Sequence, residues 1–113
     1  LRPLLTLGDW RFRPAAPGER RSDAWEAELP DDRPLTVRPW RPGDRMRTTP
    51  GGTARRVKRY FGDARVPGMD RAGWPVVLAG GEIVWIPGVR RADAATDRSG
   101  RPGVRYVCER IRS

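Results

Sequence analysis

The run WPVVLAGGEIVWIPG, residues 74–88, limits what this chain can fold into more than any other stretch. Its two arms, residues 76–79 and 83–86, flank Gly80-Gly81, and glycines take the positive φ angles of a tight hairpin turn without steric cost. A hairpin with one wet face alternates apolar and polar side chains. These arms are apolar on both faces, so both faces need cover. The hairpin is expected as a pair of central strands or as an arm buried under a helix. With 113 residues the chain has enough length for one such core and too little for two ordinary domains.

The remaining strands are read from alternation. GDWRFRP sets Trp10 and Phe12 against Arg11 and Arg13, and DAWEAELP sets Trp25, Ala27 and Leu29 against Glu26 and Glu28, which are expected on a solvent face. Between them AAPGERRS is a Pro-Gly loop. After the polar break PDDRP, LTVRPW is a third strand ended by Pro39, since proline cannot donate to a ladder. VRYVCERI adds a last strand after the polar segment RRADAATDRSGRPG, and DARVPGMDRAGW is a loop with at most one helical turn. Trp40, next to the basic turn and at the end of its strand, has two readings, an exposed ring that stacks on a nucleobase and a ring that closes the core, and the core is the expected one.

Arg41-Pro42-Gly43-Asp44 places proline second and glycine third, as a type II turn requires. Beyond it, Thr53 is the expected N-cap of a short helix running to Phe61 and ended by Gly62. On that helix Ala54, Val57, Tyr60 and Phe61 share one side, and Arg55, Arg56, Lys58 and Arg59 the other. Two arginines in a first turn oppose the helix dipole, so their placement suits an external anion better than helix stability. The elements sum to an α+β fold, a small single domain of about six short, mostly antiparallel strands with one firm helix.

The net charge is +9, carried by 22 arginines and one lysine against 14 carboxylates. A small domain with a pI near 11.4 collects polyanions through its long-range field, and nucleic acid is the leading partner class. Between Arg41 and Arg65 the cations Arg41, Arg45, Arg47, Arg55, Arg56, Lys58, Arg59 and Arg65 face only Asp44 and Asp63, which leaves +6 of the +9 in that segment (8 − 2). Arginine's planar fork suits phosphate oxygens, and amide groups after Gly51-Gly52 would add anion-binding dipoles. The competing expectation is that these arginines solubilise a polar surface or pair with the acidic stretch from Glu19 to Asp32.

Catalytic chemistry is thin. The chain has no histidine, hence no Ser-His triad, and TPGGTARR lacks the GK[ST] ending of a phosphate-binding loop. The single cysteine, Cys108, forms no internal disulfide, has no CxxC partner, and is expected to be an ordinary strand residue of a protein in a reducing cytoplasm. No signal peptide is legible and the longest apolar runs are too short to cross a bilayer. The chain begins at Leu1 rather than Met, as a piece of a longer protein would.

The order LTVRPWRPGDRM, a glycine-containing loop, RRVKRYFGDARVP, Arg71, WPVV and GGEIVWIPGVRRA resembles the C-terminal domain of the bacterial tRNA(Ile)-lysidine synthetase family. The likeness spans roughly residues 35–92, with GDWRF similar to the lead-in strand; Thr48-Thr49-Pro50 replaces a Pro-Leu-Gly-like loop, and the tail after Ala92 diverges. The resemblance implies a fold shared with a domain of the phenylalanyl-tRNA synthetase β subunit. It divides the chain into lead-in strands and linker loops (1–34), a tRNA-binding core (35–97) and a C-terminal strand and tail (98–113).

In that family an N-terminal domain with an SGGxDS loop uses ATP with Mg to join lysine to the wobble cytidine of the CAU-anticodon isoleucine tRNA. No SGGxDS occurs here, so the resemblance implies a recognition domain, without a cofactor of its own, that holds the tRNA near its acceptor stem while another domain does the chemistry. The residues it implies for RNA binding are Arg38, Arg41, Arg45, Arg55, Arg56 and Lys58. Arg59, Arg65, Arg71, Arg90 and Arg91 complete the set. The alternative is a non-catalytic interaction domain that docks on a partner protein through its apolar hairpin.

Overall fold

The computed structural model describes residues 5–19, 23–49, 51–92 and 103–111. Two sheets share one core. The first contains β1 (Leu5–Leu7), β2 (Trp10–Pro14) and β3 (Glu26–Leu29). The second contains β4 (Leu35–Pro39), β5 (Arg45–Met46), β6 (Arg55–Arg56), β7 (Pro75–Ala79), β8 (Glu82–Ile86) and β9 (Arg90–Arg91). The last strand, β10 (Val104–Arg110), returns to the first sheet, whose order is β1-β2-β10-β3 with every pair antiparallel. The second sheet runs β4-β7-β8-β5-β6, with β9 also on β8; only β5 and β8 are parallel.

The expected hairpin is β7 and β8. Gly80 and Gly81 take φ of 59° and 86°, and the arms are interior strands whose side chains, Glu82 apart, are buried. The expected α+β class holds, with ten strands among the described residues rather than about six. The additions, β1, β5, β6 and β9, are two or three residues long, too short for alternation to show.

The helix differs from its expected form at both ends. It spans Val57–Asp63, and Thr53 is not its cap. Arg55 and Arg56 are instead paired with Met46 and Arg45 in a two-stranded ladder, which holds them extended, and the first helical amide, Val57 N–H, donates to the Asp44 carbonyl at 2.8 Å. Gly62 lies inside the last turn. The residue that takes the left-handed conformation is Arg65, at φ 57°, where its amide donates to Gly62 O and that of Val66 to Phe61 O. That bonding is a Schellman closure with arginine where glycine is usual. Val57, Tyr60 and Phe61 still form the buried face, at the expected helical spacing.

Aromatic rings join the layers. Trp74 packs against Trp10 at 4.7 Å and Phe61 at 5.6 Å between centroids, and Phe12 of the first sheet meets Trp85 of the second edge-on at 5.7 Å. The indole N–H groups of Trp74 and Trp85 have backbone partners, Trp74 Nε1 donating to Pro87 O and Trp85 Nε1 to Ala24 O.

Glu26 departs from the expected solvent face. It is only 6% exposed because Arg105 on the neighbouring strand donates to its carboxylate at 2.7 Å, whereas Glu28 is exposed as alternation requires. The same sheet carries Arg13 between Glu19 and Glu109, with Arg11 also on Glu109. Hydrogen bonds from Arg13 hold the Glu109 carboxyl below its ordinary value, and those to Glu19 and Glu109 raise the Arg13 guanidinium.

Two substitutions test this account. At Gly88, φ is 74° and an added Cβ would overlap the Trp25 ring, so Gly88→Ala is expected to cost about 2 kcal/mol or more, read from the urea midpoint. Arg65→Gly relieves a left-handed arginine and is expected to raise stability by about 0.5–1 kcal/mol in the same measurement.

Candidate nucleic-acid interface

The corner at residues 41–44 fixes the geometry of the site. Gly43 has φ 93° and Asp44 N–H donates to Arg41 O at 3.0 Å, the closed type II turn expected from Pro-Gly. Asp44 then organises its surroundings. Its carboxylate accepts two hydrogen bonds from the Arg38 fork, both 2.9 Å, and one from the Arg41 amide at 2.7 Å. The Arg38 bonds hold the Asp44 carboxyl below its ordinary value, with the Arg41 amide in support and partial burial opposing. Because Asp44 also accepts the first helical amide through its carbonyl, one residue ties β4, the corner and the helix together.

The cations beside this corner form a continuous strip. Arg45 and Arg56 are Cα partners across β5 and β6, and with Arg55, Arg59 and Ala54 they line a shallow hollow of about 330 Å³. Arg55 is also a wall of a second hollow, of about 240 Å³, with Arg90 and Tyr60. Arg56 is a wall of a third, of about 490 Å³, with Lys58, Arg71 and Trp40. Shared walls therefore run from Arg90 through Arg55 and Arg56 to Arg71. All of these cations except Arg71 are exposed.

The chain's own acids leave the strip largely uncompensated. Among the described residues, Glu19, Glu26 and Asp32 form ion pairs with Arg13, Arg105 and Arg33, cations that lie on neither the helix nor the corner. Asp63 lies 3.4 Å from Arg55 and Glu82 3.7 Å from Arg47, both pairs well exposed and weak in water.

The structure does not treat the eleven candidate residues alike. Arg38 has its fork on Asp44, and Arg91 donates to the Glu26 carbonyl at 2.8 Å, so both link elements within the protein. Arg71 donates from Nε to Val66 O and lies 5.5 Å from the Phe61 ring centroid. Arg41 is exposed at the corner and Arg65 exposed just past the helix. The anion-binding amides expected after Gly51-Gly52 do not form a helix start, since α1 begins at Val57. The sequence shows Asp44 only as a turn residue and a countercharge; its organising role has as its signal an acid that closes a Pro-Gly turn six residues after an arginine.

Among the described residues, no group of three or more His, Cys, Asp or Glu side chains is placed to hold a metal ion, and no helix is long and apolar enough to cross a membrane. Cys108 is buried in β10, and burial pushes its thiol up to about 12.

Fold and charge together define a class: a two-sheet α+β module in which one sheet pairs most of its charges internally and the other carries a strip with a large cationic excess. The family model described as the TilS substrate C-terminal domain matches residues 35–108, and the chain belongs to that family. It is 39% identical over 75 residues to the tRNA(Ile)-lysidine synthase of Geobacillus kaustophilus, an alignment covering 66% of this chain and 16% of that protein. It is 38% identical over 89 residues to the synthase of Symbiobacterium thermophilum, covering 70% and 17%. The chain thus spans about a sixth of the length of these relatives. A solved structure described as a crystal structure of the TilS C-terminal domain superposes with a TM-score of 0.74 at 26% identity, covering 97% of this chain and 92% of that one. Both sheets therefore belong to the shared fold.

Asp44→Asn keeps the residue's size and loses the paired charge, and is expected to cost about 1–2 kcal/mol at neutral pH. A carboxyl whose folded value is lowered contributes fully above its unfolded value and loses that contribution as pH falls through the folded one. The gap in stability between the native chain and Asp44→Asn should be constant above about pH 5 and close below about pH 4, measured by urea titration across pH.

Proposed function

We propose that this chain is the tRNA-holding domain of a tRNA(Ile)-lysidine synthase, gripping the phosphate backbone of an RNA helix with Arg45, Arg55, Arg56, Lys58 and Arg59. The observation that carries the reading is the unbroken cationic strip, walled by shared arginines and met by one carboxylate among its lining residues, the exposed Asp63 beside Arg55. Arg41 and Arg90 extend it at either end. Arg38, Arg71 and Arg91 support it by holding the corner and the sheets in place. The names of the relatives support tRNA as the polyanion. Backbone contacts position a helix and do not read its sequence, so choice of tRNA falls to RNA shape and to another domain.

In this reading the acceptor stem is the helix that is held. An N-terminal catalytic domain of the parent protein, using ATP and Mg, performs the ligation of lysine to the wobble cytidine in the cytoplasm. The rival reading, a hairpin that docks on a protein partner, has little surface to work with: side chains of β7 and β8 other than Glu82 are buried in the chain's own core.

Salt titration of binding between this chain and tRNA tests the proposal. With about five phosphates neutralised, log K should fall against log salt with a slope near −4. The triple substitution Arg55→Glu, Arg56→Glu, Arg59→Glu should weaken binding sharply and bring the slope's magnitude below about 2. A native slope near zero would overturn the reading, as would tRNA affinity unchanged by the triple substitution.

A further inference from the structure

The hollow at the Arg71 end of the strip differs in chemistry from its neighbours. It is the largest of the three, at about 490 Å³, and Trp40, Pro42, Gly68 and Ala72 supply an apolar lining. Arg56, Lys58 and Arg71 complete the wall, and no carboxylate belongs to it. Its two key side chains are held in place. Trp40 donates from Nε1 to Arg71 O at 2.7 Å and packs edge-on against Phe61 at 5.1 Å, while Arg71 is fixed by Val66 O and the Phe61 ring. Next to Gly68, on the 3-10 turn Gly68–Asp70, Met69 is 88% exposed, an apolar side chain that serves no core.

An apolar hollow ringed by cations sets two demands on its occupant. A hydrophobic peptide would satisfy the lining and leave three cations desolvated without a counter-charge. A phosphoserine or phosphothreonine side chain would satisfy the cations and leave the tryptophan unused, and a phosphotyrosine would use both but bring no polyanion for the adjoining strip. A nucleotide meets both, with a flat base for the ring and a phosphate for the arginines and the lysine. Bases in a duplex are stacked inward and cannot enter, so the base must be unpaired.

We propose that this hollow holds an unpaired nucleobase of the RNA whose helix lies along the strip, stacked against Trp40 with its phosphate at Arg56 and Lys58. The inference rests on the RNA-binding reading of the strip and adds to it a contact that senses the junction between paired and single-stranded RNA. Stacking needs only a π face, so the contact is indifferent to which base it receives.

The test compares binding of this chain to an RNA hairpin that is blunt, one with a four-nucleotide tail at the 3′ or the 5′ end, and tailed hairpins whose tails are abasic. The abasic tails keep the added phosphates, which separates stacking from charge. One of the two intact tails is expected to bind about tenfold tighter than its abasic form. Ala72→Leu, at an exposed position in the hollow's wall, should erase that advantage while blunt-hairpin affinity and the salt slope stay unchanged. Trp40→Leu should do the same, with a melting curve taken alongside because Trp40 also packs on Phe61. Equal binding of intact and abasic tails at both ends, or an advantage that survives Ala72→Leu, would overturn the nucleobase site and leave the strip standing. Absence of salt-dependent binding to every hairpin would remove the strip reading itself.

Discussion

Trp74 is the point on which the other layers bear. Its ring touches Trp10 and Trp25 of the first sheet's side and Phe61 of the helix. Its backbone is equally committed, the amide donating to Arg71 O and the carbonyl accepting from Trp40 N–H at 2.8 Å. The ring thus binds the core while the main chain places the two residues that flank the Pro-Gly corner's hollow. An aromatic side chain buries a large apolar area with few rotatable bonds, which makes it an economical pivot between elements that share no ladder. The apolar hairpin sets the demand for cover on both faces, and the aromatic group around Trp74 is how much of that demand is met.

Charge is divided as sharply as packing. The first sheet gathers Glu19, Glu26 and Glu109 under Arg11, Arg13 and Arg105, and is close to self-sufficient. That arrangement withdraws acids from the rest of the surface. Had the same carboxylates lain near β5, β6 and the helix, Arg45, Arg56 and Arg59 would have been neutralised internally and the field of the protein would have had no direction. Segregation of like charge costs some stability through repulsion along the strip. The ladder between β5 and β6 bears it by fixing Arg45 and Arg56 opposite one another whatever their mutual preference.

What was legible in the sequence followed the range of the interaction involved. The Gly80-Gly81 hairpin and the Pro42-Gly43 corner depend on adjacent residues and were read with the correct residues at the correct positions. The start of the helix was not, because whether Arg55 and Arg56 coil or extend is decided by Arg45 and Met46, a separate strand with no periodicity to announce it. Gly62 looked like a terminator on local grounds, yet the turn closes two residues beyond Asp63, at an arginine. In the site, residue types pointed to phosphate, and the strip is where the arginine count placed it. The division of labour within it was hidden, since Arg38 is engaged by a carboxylate six positions on and Arg91 by a carbonyl 65 positions away.

The route of the final strand bears on how the molecule comes into being. β10 lies between β2 and β3, and the Arg11–Glu109 pair joins positions 98 apart in the chain. Closing so long a loop is entropically slow, and on a ribosome the first sheet has no centre until Arg110 has left the exit tunnel. The hairpin and helix, built from near neighbours, can collapse long before. A nascent chain would therefore pass through an interval in which its arginine-bearing half is already shaped while the first sheet still lacks its central strand.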